Sequence, residues 1–406
     1  MRILLVSEDV PFANMGGLAK HALALGRALG LDGHQVDFMG NADQPFSVGT
    51  SESEMPGHFF AELRGTQRGW KEHRLGCFIP LKRDVIAKGI ASAILARAAN
   101  YDVVHYHGHY PNVGAYLPAG INFVQTRHDQ GADCLIHTRF RNGTICVETD
   151  PQVCAECISK HPNRVQRMVS ATAVRSFRKQ VAIGFARHKT IFVSDMLRRN
   201  YVRGAGSKNS GTVIHNFLEV SQFEQALTRR RSSRGLDQRI GVLVAAKLYP
   251  PKGVDRFLEA TKGRLAPHIH ITIAGAGPDE DALRRRFSGD QVSFLGWQDY
   301  STVLQLTAAA DAVVVPSVWE EPCATTVLEA MFLGRQVFAL NQGGTPELAR
   351  YAKCKGQLRL YPDLESLVLD LNEVQRIDRT AMGNGEGFAV GSRLPEVMKV
   401  YEARNQ

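Results

Sequence analysis

Long apolar runs are missing from this 406-residue chain. No stretch approaches the roughly 18 apolar residues that a membrane-spanning helix needs, so a transmembrane class is not expected. The opening Met1-Arg-Ile-Leu-Leu-Val-Ser-Glu-Asp9 is too short for a signal peptide and is broken at once by acids, so it reads as a first β-strand in a cytoplasmic protein. Cysteines number seven, and in a reducing compartment they need not form disulfides. A recognisable nucleic-acid module is also lacking, and no nucleic-acid partner is expected. Length excludes a single small core and suggests two domains.

What is present is a strand-and-helix alternation that starts twice. Strand Ile3 to Ser7, a Gly16-Gly17 turn, a helix from about Leu18 to Leu29 and strand Gln35 to Gly40 open a doubly wound unit. Further strands are expected at Asp102 to Tyr106, Ile121 to Gln125 and Thr190 to Val193, with helices at Val85 to Ala99 and Val165 to Ala186. Tandem glycines after a first strand let the backbone approach a phosphate, although this pair is not the G-x-G-x-x-G fingerprint and a plain tight turn reads equally well. The polar, Arg-rich residues from Ser221 to Gln238 read as a linker. The alternation then restarts with strands Ile240 to Ala246, Ile269 to Ala274, Val292 to Leu295 and Ala312 to Val315. The expected fold class is α/β, with two Rossmann-like doubly wound domains at residues 1–217 and 218–391. A closing helix at about 392–406 is expected to dock back on the first.

Charge is uneven. The net charge is +9, yet residues 160–203 alone carry eleven Lys or Arg against one acid, Asp195. Such a segment can be a solvated helix face, or it can meet an anionic membrane surface or an anionic acceptor.

The run from Pro316 to Met331 places Glu321 in the loop after a buried strand, where open α/β sheets bind ligands. Glu329 is expected about two turns into the following helix, on the same face. Two carboxylates there could accept hydrogen bonds from several hydroxyls. Glu329 sits between Leu328 and Ala330, where an unpaired carboxylate would be costly.

Six motifs now stand in order: Ala246-Lys-Leu-Tyr-Pro-Pro-Lys-Gly253, Ile273-Ala-Gly-Ala-Gly-Pro278, Phe294-Leu-Gly-Trp297, Ala310-Asp-Ala-Val-Val-Val-Pro-Ser317, the Glu321/Glu329 pair and Gly343-Gly-Thr-Pro-Glu347. Together they resemble the donor domain of the retaining family-4 glycosyltransferases of the GT-B fold. The first half matches more loosely, through Gly16-Gly17, Asp102-Val-Val-His105 and Thr126-Arg-His-Asp129. The resemblance implies two domains facing a cleft and a nucleotide-diphosphate sugar, such as a UDP-sugar, held mainly by the second. It gives Glu329 the ribose hydroxyls, Glu321 and His128 the donor sugar, and Lys252 the diphosphate. Lys247 stands where the family has an arginine, which keeps the charge but loses the bidentate fork. Gly16 and Gly17 match the turn facing the phosphates, and Gly343 and Gly344 complete the donor site. The implied chemistry is metal-independent transfer of a hexose with retention, with no cofactor required and no metal-binding Asp-x-Asp motif expected. The expected acceptor is a glycan or lipid-linked glycan, as in lipopolysaccharide core or other cell-surface polysaccharide synthesis, with the protein peripheral on the cytoplasmic face of the inner membrane. A soluble-acceptor disaccharide synthase or phosphorylase of the same fold, and a non-catalytic nucleotide-sugar-binding protein, are the alternatives.

Cys134, Cys146, Cys154 and Cys157 fall within a loop at 129–162. Four thiolates can close a tetrahedral zinc site, and Cys154-Ala-Glu-Cys157 has the usual knuckle spacing. Two disulfides or four ordinary thiols are the other readings, and His137 and His161 are spare ligands expected to be solvated.

Overall fold

The structure is a computed structural model and describes residues 1–10, 16–43, 55–65, 79–158, 164–205, 211–220, 223, 239–376 and 387–403. Apart from Phe223, the expected linker at 221–238 lies outside the described residues, as do Cys77, Lys160 and His161. Contacts divide the chain into two units: residues 1–141, 146–216 and 390–406 form one, and 142–145 with 217–389 form the other.

In the first unit β1 (Arg2–Val6), β2 (Gln35–Asn41), β3 (Phe59–Leu63), β4 (Val103–His107), β5 (Phe123–Arg127), β6 (Lys189–Phe192) and β7 (Thr212–Val213) make one parallel sheet in the order β3-β2-β1-β4-β5-β6-β7. Residues Ile3 to Val6 are fully buried, as a continuous apolar run in a covered parallel sheet should be. The strand order reverses between β1 and β4, so the ends of those strands, at Ser7 to Asp9 and at His107, form a topological switch point. Helix α1 (Gly17–Leu31) buries Ala19, Ala22, Leu23, Leu25 and Leu29. α2 (Ile79–Leu95), α3 (Pro151–Ile158), α4 (Arg164–Arg187) and α5 (Asp195–Ala205) follow in chain order.

The second unit repeats the scheme. β8 (Ile240–Ala245), β9 (Ile269–Ala274), β10 (Val292–Gly296), β11 (Ala312–Val315), β12 (Gln336–Leu340) and β13 (Leu358–Tyr361) run in parallel order β10-β9-β8-β11-β12-β13. Its switch point lies between β8 and β11. Helices α6 (Val254–Thr261), α7 (Glu280–Phe287), α8 (Tyr300–Ala309), α9 (Thr325–Phe332) and α10 (Leu364–Leu371) alternate with the strands. Val242, Val244, Phe257, Ile271, Ile273, Val314, Phe338 and Leu367 belong to one core cluster under them.

The final helix, α11 (Val390–Glu402), belongs to the first unit. The buried Tyr401 hydroxyl shares a 2.7 Å hydrogen bond with His105 Nδ1. Lys189 Nζ donates to the carbonyls of Val400 (3.0 Å), Tyr401 (3.2 Å) and Ala403 (2.5 Å). A cation on the last orphan carbonyls of a helix satisfies them and complements the dipole.

Several boundaries differ from the sequence reading. α2 spans Ile79–Leu95, not 85–99, because Pro80 is tolerated in a first turn where its missing N–H has no partner to lose. Residues Ala98–Asn100 form a separate 3-10 turn. Strands β3, β7, β12 and β13 were not expected; β7 is a two-residue edge and β12 is a buried interior strand. Strands β3 and β13 are sheet edges with partly exposed residues, so neither carries the apolar run that marks a buried strand.

Candidate active site

In the second unit the chain leaves β11 and turns through Ser317 and Trp319 to Glu321, which is 6% exposed. Glu321 Oε1 accepts hydrogen bonds from Ser317 Oγ (2.7 Å) and from Lys252 Nζ (2.5 Å). Lys252 ends the 3-10 turn Pro250–Lys252, and Gly253 follows with φ 66°. A Cβ on Gly253 would lie 2.2 Å from the Pro316 carbonyl oxygen, so only glycine lets this turn approach the β11 loop. From the other side Gly344 N–H donates to the Glu321 carbonyl (2.7 Å). Gly343 has φ 66°, and a Cβ there would lie 2.6 Å from the Glu321 nitrogen. Lys252, Glu321, Gly343 and Gly344 therefore share one site at the switch point of the sheet.

Burial alone would raise the Glu321 carboxyl, but the Lys252 ammonium and the hydrogen bonds outweigh it and hold the group below the usual carboxylate range. Burial likewise pushes Lys252 down, and the Glu321 charge more than reverses this. The pair is ionised at neutral pH. Lys247 is exposed, with its ammonium 5.5 Å from the centre of the Tyr249 ring, and is not joined to this pair.

Glu329 is the fifth residue of α9, just over one turn in, which corrects the expectation of two turns. The helix starts four residues after Glu321, so helical spacing does not relate the two. Glu329 is buried and accepts a 3.0 Å hydrogen bond from the Tyr300 hydroxyl. An Asp-x-Asp spacing does occur, at Asp279-Glu280-Asp281. It opens α7, where Glu280 pairs with Arg284 one turn on (3.1 Å).

In the first unit Gly16 is the N-cap of α1, with φ −73° and ψ 178°. A Cβ on Gly16 or Gly17 would meet nothing within 4 Å. The first turn carries no acid, so this helix start suits an anion. His128 follows β5, with Nε2 3.2 Å from His107 Nδ1, and the His21 ring stands edge-on at 4.8 Å. His105 lies 4.0 Å from His107, centre to centre. Burial lowers His21 and His105 to about 3, and carries His107 and His128 well below their ordinary value. All four imidazoles are neutral at pH 7.

Beside them Asp129 accepts from His109 Nδ1 (2.7 Å) and Gly131 N–H (2.8 Å), and His137 Nδ1 lies 3.1 Å from its carboxylate. The other His109 nitrogen meets Asp9 at 2.8 Å. His137 is buried with φ 62°, not solvated. Its carboxylate partner explains the burial. His21, His107 and His109 were missed from the sequence. The spacing His105-x-His107-x-His109, at strand period, was the available signal.

Cys134, Cys146, Cys154 and Cys157 line one cavity of about 30 Å³. Among the described residues, the sets whose candidate ligand atoms all lie within 4.8 Å of one another are His21/His107/His128 and His109/Asp129/His137, not the cysteines. The basic segment is partly spent inside the fold. Arg178 is buried, Arg187 donates to the Ala115 and Leu117 carbonyls, Lys189 holds α11, and Arg198 and Arg199 share Asp195. Arg164, Arg167, Arg175 and Lys179 remain on the exposed side of α4. No described helix is long and apolar enough to cross a membrane.

The description Glycosyltransferase Family 4 matches residues 15–222, just over half the chain, and Glycosyl transferases group 1 matches 239–373. The chain belongs to glycosyltransferase family 4. Among curated relatives of this family-4 enzyme, uncharacterized glycosyltransferase MJ1607 of Methanocaldococcus jannaschii is 24% identical over 367 residues, which are 86% of this chain and 83% of that protein. Among solved structures, Anabaena Alr3699/HepE in complex with UDP aligns with TM-score 0.62 and 19% identity, over 98% of this chain and all of that one. Sucrose-phosphate synthase of Thermosynechococcus elongatus aligns with TM-score 0.69 and 18% identity, covering 99% and 98%. With its two parallel sheets, this glycosyltransferase has the GT-B fold of paired Rossmann-like domains.

Proposed function

We propose that this family-4 glycosyltransferase moves a hexose from a nucleotide-diphosphate sugar, taken to be a UDP-sugar, to a glycan acceptor with retention at the anomeric carbon and without a catalytic metal. The Lys252–Glu321 pair, held between Gly253 and Gly343-Gly344 at a sheet switch point, carries this reading. Breaking the sugar–phosphate bond leaves negative charge on the departing diphosphate. A preorganised ammonium stabilises that charge as it forms. As Lys252 turns to the phosphates, the Glu321 carboxylate is released to accept donor-sugar hydroxyls. Glu329, already accepting from Tyr300, serves the ribose. In the first unit Gly16 and Gly17 offer backbone N–H groups to phosphate, and neutral His128 can exchange a hydrogen bond with the sugar without adding charge. In the retaining route proposed here, the acceptor oxygen forms the new bond to the anomeric carbon as the diphosphate departs, and its proton passes to the leaving phosphate.

The acceptor side is read from α4. Val165, Met168 and Val169 are exposed beside Arg164 and Arg167. A basic, apolar helix face suits an anionic membrane, and hence a lipid-linked acceptor such as a lipopolysaccharide core or another cell-surface polysaccharide precursor. A thermal-shift screen of nucleotides and nucleotide-sugars, followed by transfer assays on soluble and lipid-linked acceptors, tests both parts. Stabilisation by UDP-sugars with transfer to lipid-linked glycan is expected. Product only from a free sugar would favour a disaccharide synthase, and donor binding without transfer or hydrolysis would favour a non-catalytic role. Equal binding to neutral and anionic vesicles would remove the membrane.

A further inference from the structure

The buried Arg178 side chain donates to the Thr149 carbonyl, to the Asp133 carbonyl (2.9 Å) and to Cys154 Sγ (3.2 Å). It forms no direct ion pair among the described residues; its charge acts on the buried Asp133 carboxylate, which Arg139 already pairs. A buried guanidinium asks for an anion nearby. Cys154 and Cys157 lie on α3, three residues apart and hence on neighbouring turns of one helix face. Cys134 and Cys146 come from the preceding loop, and the four thiols line the cavity of about 30 Å³ already described. The backbone N–H of Arg139 donates to the Cys134 sulfur (3.4 Å), and the backbone of Ile136 also donates. Arg139 itself is buried, pairs with Asp133, and donates from Nε to the Cys146 carbonyl (3.1 Å).

We propose that Cys134, Cys146, Cys154 and Cys157 bind one structural zinc ion. On binding, four S–H groups release their protons to solvent and four Zn–S bonds form, leaving a tetrahedral centre of charge −2. Arg178 supplies the missing positive partner to that charge, and the N–H groups on Cys134 orient the thiolate from outside the metal shell. Tetrahedral Zn–S bonds of about 2.3 Å put the sulfurs about 3.8 Å apart. The sulfurs are more widely set in the structure described here, so the ion draws them inward across the cavity. Four soft thiolates as the ligand set select zinc over calcium or magnesium, although Asp133 and Glu148 also line the cavity.

The loop so fixed begins just after His128 and Asp129 and contains His137, whose Nδ1 lies 3.1 Å from the Asp129 carboxylate. Zinc therefore acts as a clamp on the positioning of His128 and takes no part in the sugar chemistry.

The test is elemental analysis of full-length protein purified without added metal or chelator, with thiol counting and intact mass. About one zinc per chain is expected, with four thiols reacting only after a zinc-releasing chelator is added. Cys154→Ser should lose most of the zinc, whereas Cys354→Ser, at an exposed cysteine away from the cavity, should keep it. Should Cys154→Ser misfold, cobalt(II) exchanged into the unaltered protein gives the second reading. Intense thiolate-to-metal charge transfer with tetrahedral ligand-field bands is expected. Zinc-free protein with four freely reacting thiols would overturn the proposal. So would a mass deficit from disulfides, or bound iron with iron–sulfur absorption.

Discussion

In the first unit buried His21, His105 and His107 and half-buried His128 pack together and are kept neutral by desolvation, whereas in the second half-buried Lys252 meets buried Glu321 and both are kept charged. Desolvation opposes the charged form in both places. The outcome differs because a counter-charge in contact outweighs it only where one is supplied. The first arrangement yields uncharged hydrogen-bonding groups, and the second holds a preorganised ion pair.

Acid breaks the comparison most strongly. The folded-state values of the histidines are depressed, so their contribution is fully present above their ordinary value of about 6.5 and is lost as pH falls toward the folded values. At pH 5 this amounts to about 2 kcal/mol for each of His21 and His105, whose folded values are about 3. Glu321 is also depressed, from a lower start, so its contribution is present above about 4.5 and is lost only below that. Lys252 is raised, so its contribution persists below its unfolded value and is lost only in strong alkali. Hydrogen exchange at pH 7 and pH 5, corrected for intrinsic rates, should show the first unit loosening while the second holds. Preferential loosening of the second would contradict this account.

Glu321→Gln comes next. It removes the charge but keeps an acceptor for Ser317 and Lys252, so transfer should fall about 10²- to 10³-fold with the fold intact. Near-normal turnover in a purified assay would exclude Glu321 from the mechanism. Two glycines sharpen the contrast between the units. Gly343→Ala meets both a left-handed φ and a 2.6 Å contact, so a stability loss of about 2–3 kcal/mol with weakened donor binding is expected in urea melts. Gly16→Ala finds open space, and its stability should change by less than about 0.5 kcal/mol. An equal loss at both positions would show that the backbone argument fails. The smallest effect is Lys247→Arg, which restores the fork at an exposed position. Donor KM should drop about two- to fivefold with unchanged melting.

How much of this was legible in the sequence follows the same division. Glu321, Gly343, Gly344 and Lys252 could be read because each sits at a strand end within a contiguous motif. Of the histidine cluster only His128 was read as a site residue, because α1, β4 and β5 bring its members together from positions 21, 105, 107 and 128, and the strand-period histidines of β4 do not by themselves show that packing. His137 was misjudged because its burial depends on an αL loop residue meeting Asp129. The basic segment looked like one surface, yet Lys189 reaches carbonyls more than 200 residues away and Arg178 turns inward. The edge strands β3 and β13 were lost because their residues are half-covered and carry no clean period, while the edge strand β10 was read and the buried interior strand β12 was not.

Helix α11 has a consequence for how the molecule is made. The unit that begins at Met1 is finished by residues 390–403, and Tyr401 supplies a buried partner to a histidine deep in its sheet. On the ribosome the second unit can therefore be complete while the first still waits for its last helix. An exchange of donor units between relatives would need two cuts, near 217 and near 389. A single cut would carry Tyr401 away and leave His105 without that bond.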